Sequence, residues 1–193
     1  RTDLTSSVAH VNGADRVISE PQKGTNRARQ TGVEASEGEI IAFLDADCTP
    51  KPEWLSHIWE YFQEDRTNMV AVAGPYEYKD DPRLHFMLFQ HLAWKVVFPV
   101  VSVVMGRMLG RGGVMLGGNF ATARKTLDSL NGLDTSYGFY GDDASIARNF
   151  GTVGYVQYDP RLAVESSARR FQNIGFLRTN WNYTTNYFKV MMR

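Results

Sequence analysis

The chain has 193 residues, and 21 Lys and Arg balance 21 Asp and Glu, so no global field argues for nucleic acid or another highly charged partner. Hydrophobic residues at 43% and aromatics at 12% exclude an intrinsically disordered chain. A single cysteine, Cys48, excludes a disulfide framework, fits a reducing compartment and reads as a small packing residue.

Leu4, Val8 and Val11 fall at helical spacing in residues 3–12, and Gly13 stops that helix. "DRVI", residues 15–18, reads as a short strand. Residues 23–38 read as a second helix, with Thr25 or Asn26 as its cap and Gly38 beyond its end. The continuous apolar run Ile40 to Leu44 predicts a strand buried on both faces of a parallel sheet. Thr49, Pro50 and Pro52 turn the chain into a helix whose apolar stripe is Trp54, Leu55, Ile58, Trp59 and Phe62, and "MVAVAG" is another buried strand. Helix alternating with strand through short connections means a doubly wound α/β architecture.

Residues 86–105 are largely apolar, but Gln90, His91, Lys95 and Pro99 interrupt them. That pattern predicts a partly buried or membrane-surface helix rather than a clean span. "GRMLGRGGVMLGGNF" is glycine-rich. Ile174, Leu177, Trp181, Phe188 and Met191 then define an amphipathic C-terminal helix. The expected division is an α/β domain over 1–170 and this helix over 171–193, at a membrane surface.

The apolar strand runs straight into Asp45 and Asp47. Strand alternation points both the same way, and ligands in open α/β sheets bind beyond this end of a strand. Two like charges so close call for a positive partner, and a divalent cation is the usual one. Turn chemistry alone is the plain alternative. A nucleotide-hydrolysing site would need a G-x-x-x-x-G-K-[ST] loop, and the sequence has none. "DADCT" also fits the D-x-D-x-[TV] signature of haloacid-dehalogenase-type phosphatases, with "GDD" at 141–143 echoing a late metal motif. That is the alternative reading, beside a non-catalytic sugar- or metal-binding module. Asp142 and Asp143 would favour a helix dipole, or one would serve as a base. Arg169 and Arg170 are surface charge, or a guanidinium clamp on phosphate. Gly117, Gly118 and Asn119 form a turn, and Arg29 sits on a helix whose solvent face it would otherwise occupy.

"KGTNRARQTGVEASEGEIIAFLDADCTPKPEWL" and the later "GGNFATARKTLDSLNGLDTSYGFYGDDASIA" resemble family 2 glycosyltransferases of the GT-A fold in the order and spacing of their motifs. The resemblance runs from about Arg1 to Asn173. It implies a Rossmann-like, mostly parallel sheet flanked by helices. It also implies inverting transfer of a sugar from a nucleotide-diphosphate sugar to the hydroxyl of a carbohydrate or lipid-linked acceptor. Asp47 would be the main ligand of a manganese or magnesium ion, with Asp45 touching ribose or a metal-bound water. Asp143 of the Asp142–Asp143 pair would be the base. Gly117, Gly118 and Asn119 would line the acceptor side, and Arg29, Arg169 and Arg170 would face the donor diphosphate. No histidine lies near Glu165, where some members carry a third metal ligand. The family's first strand-helix-strand unit, which holds the nucleotide base, has no counterpart before Arg1. A cytoplasmic place at the inner face of a membrane is the matching expectation, with no nucleic-acid partner.

Overall fold

The computed structural model describes residues 4–64, 66–80, 83–137 and 141–192. The first helix, α1 (Thr5–Val11), leaves Leu4, Val8 and Val11 largely exposed. "DRVI" is not a strand; residues 15–18 carry no regular structure. Helix α2 (Thr25–Ala35) leads to strand β1 (Ile40–Leu44). After the short strand β2 (Thr49–Pro50) come α3 (Trp54–Gln63), β3 (Met69–Ala73) and β4 (Tyr76–Tyr78).

A helical rod then runs from residue 84 to 108. It comprises α4 (Leu84–Leu92), a π-helical turn Ala93–Val97, α5 (Phe98–Ser102) and a second π-helical stretch Val103–Met108. Pro99 explains the first widening: it has no N–H to donate and its ring crowds the carbonyl four residues back, so the helix opens locally instead of breaking. The chain returns through β5 (Asn119–Ala123), α6 (Arg124–Ser129), α7 (Asp142–Phe150), β6 (Tyr155–Tyr158) and β7 (Val164–Ser166). It finishes with α8 (Arg169–Ile174) and α9 (Phe176–Met191).

The main sheet has the order β1-β5-β3-β6. The α/β class holds, but the sheet is mixed. Strands β1 and β3 both pair antiparallel with β5, and only β3 and β6 run parallel. A small second sheet, β2-β7-β4, stands beside it. The alternation of side chains across the main sheet divides the core in two. Phe43, Ala71, Ala73 and Phe120 face a cluster with Val33, Leu127, Ile146 and Phe150, and Phe43 stacks on Phe120 with ring centroids 4.2 Å apart. Val72 and Ala121 face the other cluster, with Trp54, Ile58, Tyr61 and Leu162.

Strand β1 corrects the expectation of burial on both faces. Ile41 and Phe43 are buried while Ala42 and Leu44 are exposed. The reason is position: β1 is the outer strand, so its apolar run covers one core only. The site lies at the end of β1, where β5 begins beside it: Asp45 N–H donates to the Gly118 carbonyl at 3.1 Å.

Candidate active site

Two distant segments converge on one guanidinium of α2. Arg29, on the second turn of α2, has a side chain only 12% exposed. Its nitrogens lie 3.3 Å from Asp45, 3.4 Å from Asp142 and 3.6 Å from Asp143. Three carboxylates from two distant parts of the sequence thus share one cation, which is what allows them to crowd a half-buried cleft.

Asp142 and Asp143 open α7, and the helix terminus favours both. Their environments differ. Asp142 is buried, and its Oδ2 accepts a hydrogen bond from the Thr25 hydroxyl and pairs with Arg29, which holds α2 to α7. Asp143 remains open to the cleft and accepts from the Gly117 N–H. Burial first, and then the charge of Asp142, push the Asp143 carboxyl up to about 7, against the opposing pull of Arg29 and the Gly117 N–H. A half-open carboxyl that titrates near neutrality is suited to accept a proton.

The glycines are a spatial requirement. A Cβ on Gly117 would lie 2.0 Å from Asp143 Oδ1, and one on Gly118 would lie 2.1 Å from Asp45 Oδ2. The Gly118 N–H donates to the Tyr76 hydroxyl at 2.9 Å, and burial holds that phenol well above its ordinary range. Asn119 departs from its expected acceptor-side place. Its side chain is 1% exposed: Oδ1 accepts from Trp54 Nε1 at 2.9 Å, and Nδ2 donates to the Pro75 and Leu162 carbonyls at 3.1 and 2.7 Å. With both side-chain polar atoms so used, Asn119 ties together α3, the residue before β4 and the segment before β7 instead of facing a ligand.

Asp47 stands at the rim, half exposed, 3.0 Å from Arg169 Nη2. Arg170 turns away to the Tyr183 hydroxyl and lies over that ring. Cys48 is half-buried against the second core cluster, where burial raises its thiol, in keeping with a packing role. Among the described residues no three His, Cys, Asp or Glu side chains assemble as a metal cage. Asp45 and Asp47 fit instead the pattern in which one or two carboxylates bind a hard cation and substrate phosphates complete its shell.

The sequence reading missed Thr25, Asn26 and Tyr76. Thr25 and Asn26, expected as caps, sit inside α2 behind Gly24. Asn26 is 1% exposed, donates to the Asp134 carbonyl at 2.9 Å and accepts from Arg29 at 3.1 Å. The available signal was their spacing, since Thr25, Asn26 and Arg29 fall three and four apart on one helix face.

A mixed sheet with an acidic cleft at the junction of β1, β5 and α7 is the architecture of GT-A glycosyltransferases. Residues 12–113 match the model of glycosyl transferase family 2, and the chain belongs to that family. It is 51% identical over 39 residues to glycosyltransferase AglE of Haloferax volcanii, covering 20% of this chain and 13% of that protein. It is 29% identical over 139 residues to polypeptide N-acetylgalactosaminyltransferase 13 of Homo sapiens, covering 64% of this chain and 24% of the relative. Among solved structures, glucosyl-3-phosphoglycerate synthase from Mycobacterium tuberculosis, in complex with Mn2+ and uridine-diphosphate-glucose, superposes with a TM-score of 0.63 at 18% identity. That match covers 99% of this chain and 65% of the synthase. A mannosyltransferase from Pyrobaculum calidifontis, in complex with GDP-Man and Mn2+, gives 0.62 at 17% identity, over 97% and 49% of the two chains. The chain therefore spans a quarter or less of these two sequence relatives and about two thirds of the synthase.

Proposed function

We propose that this domain transfers a sugar, with inversion, from a nucleotide-diphosphate sugar to the hydroxyl of a carbohydrate or lipid-linked acceptor. The observation that carries the reading is Asp143, a partly open carboxyl pushed up to about 7, which accepts from the Gly117 N–H and shares the Arg29 guanidinium with Asp45. The acceptor oxygen attacks the anomeric carbon from the Asp143 side and its proton passes to Asp143. The bond from that carbon to the diphosphate breaks, and the electron pair leaves on the phosphate oxygen. Asp142 and Arg29 are positioning residues that fix the Asp143 carboxylate, and Arg169 at the rim is the cation best placed to meet a diphosphate.

A manganese or magnesium ion is part of the proposal, held by Asp47 and Asp45. Such an ion neutralises charge on the leaving diphosphate when bound. The Mn2+ in the two solved neighbours supports it, as does an oxygen-only donor set. The phosphatase reading of "DADCT" loses ground to the family match over residues 12–113, and the non-catalytic module loses ground to a carboxyl poised near neutrality. We place the protein on the cytoplasmic side of a membrane, in line with its lone half-buried cysteine. The deciding experiment is Asp143→Asn in the complete protein, assayed for transfer and for donor binding. Transfer should fall by about 100-fold or more with donor affinity little changed. Full activity of the variant would end this assignment.

A further inference from the structure

The rod 84–108 and α9 each carry an apolar face that is left exposed among the described residues. On the rod, Leu88, Leu92, Val96, Val100 and Val103 are 46–62% exposed, and Phe86–Met108 is long and apolar enough to cross a membrane. On α9, Leu177, Trp181, Phe188 and Met192 are 48–82% exposed at spacings of four and seven. The two elements are neighbours and run the same way. Phe89 and Phe176 touch edge to face, with centroids 4.8 Å apart near their starts, and Arg111 meets Met192 beyond their ends. Exposed apolar surface on this scale marks a site of interaction.

Charge indicates the partner. The chain as a whole is neutral, yet no Asp or Glu occurs between Arg83 and Leu127 or between Ser166 and Arg193. Every charge on both apolar elements is therefore positive. Lys95, Arg107, Arg178 and Lys189 are exposed, and none of them forms an ion pair among the described residues. A protein partner would meet both signs at its rim; a surface with one sign over two neighbouring helices complements a sheet of anionic headgroups. The rod cannot cross that bilayer while docked, because Gln90, Ala93, Ser102 and Met105 are buried against the domain and Ser102 Oγ donates to the Val156 carbonyl at 3.2 Å.

We propose that the rod and α9 together form a membrane-docking surface, lying in the plane of an anionic bilayer with their apolar faces among the acyl chains and their basic side chains at the headgroups. This deepens the reading of the site as one that serves a lipid-linked acceptor. The surface borders that site: Phe86 and Phe176 pack with Phe171 and Tyr78, next to Arg169 and to Tyr76, which holds Gly118.

The test is flotation of the full chain with vesicles of phosphatidylcholine alone and with phosphatidylglycerol added, together with tryptophan emission. We expect binding to the anionic vesicles that salt weakens, and a blue shift that Trp181→Phe reduces. Arg178→Gln should lower partitioning about fivefold, and Val100→Asp by about tenfold or more, with unfolding temperatures unchanged because both positions are exposed. No binding to either vesicle, unaltered binding by Val100→Asp, or a stable dimer that Trp181→Asp dissociates would overturn the proposal. Binding is read without donor or acceptor. Vesicle binding without sugar transfer would count against the site, and transfer to a soluble acceptor without vesicle binding would count against this surface.

Discussion

Asp143 is the residue on which opposing effects meet. Burial and Asp142 raise its affinity for a proton, while Arg29 and the Gly117 N–H lower it, and the balance sits at about 7. A base must be ionised to act, so kcat/KM should rise with pH up to about 7 and flatten above it. A rate independent of pH between 5 and 9 would show that another group takes the proton. The same shift has a stability sign. A carboxyl raised in the folded state contributes stability that is full below its ordinary value of 3.8 and is lost as pH rises through about 7. Asp143→Asn should therefore unfold at a higher temperature than the parent at pH 8, with the advantage shrinking toward pH 4, as calorimetry can check. Arg29 carries the converse burden. Arg29→Ala strands three carboxylates around a mostly buried centre and should cost about 3–5 kcal/mol in denaturant unfolding. It should also move the pH–rate profile to higher pH. At this scale much of the chemistry was legible in the sequence, because Asp45, Asp47, Asp142 and Asp143 occur as paired carboxylates. The cation that joins three of them had a direction, toward the donor, only through the family resemblance, since nothing local to Arg29 tells of Asp142, 113 residues away.

The elements around the site are held by a few side chains whose partners lie far along the sequence. Asn119 is the clearest. Asn119→Ala would leave the Trp54 N–H and the Leu162 carbonyl buried without their partner, while the Pro75 carbonyl keeps the Val164 N–H, at a cost of about 3 kcal/mol. The loss should appear as a lower denaturant midpoint, and an unchanged midpoint would mean that water replaces the amide. Gly118→Ala acts on the other side of the same turn. Its new methyl group would fall on Asp45 and the Tyr76 hydroxyl, so activity should fall sharply while the core clusters stay folded. Helices α3 and α9 were readable from their apolar periodicity, and α2 from the cap and stop residues around it. Asn119 was not readable as a structural tie, because a Gly-Gly-Asn turn looks alike whether its amide faces a ligand or the core. "DRVI" failed as a strand for a related reason: two β-branched residues supply local propensity, and no neighbouring strand pairs with them.

For the whole molecule, strand order matters more than strand content. An apolar pentapeptide implies a central strand only if partners flank it on both sides, and β1 has β5 on one side and no strand partner on the other among the described residues. Its open edge and the exposed Leu44 make the chain prone to edge-to-edge association. Ala42→Lys, on the exposed face of β1, should reduce light scattering at high protein concentration without lowering the unfolding temperature. Equal scattering would place the sticky surface elsewhere. The α/β class was legible from the alternation of helix and strand, whereas the antiparallel return of β5 between β1 and β3 was not. A strand's direction is set by a connection that no single segment encodes.

Gly112 has a consequence of a mechanical kind. It lies directly against the Ala147 carbonyl of α7, where even a methyl group would overlap at 1.6 Å, and its own carbonyl accepts from the Val156 N–H at 2.8 Å. A second glycine, Gly151, closes on it from the end of the same helix. Backbone seated on backbone leaves no side chain to swing aside and absorb a displacement. The rod ends four residues before Gly112, and the helix it presses on begins with Asp142 and Asp143. The segment therefore joins the outer apolar rod by backbone contact alone to the helix that carries the acidic pair. A load on the rod should register as altered amide exchange along Ala147–Phe150 before it is seen anywhere else in the sheet.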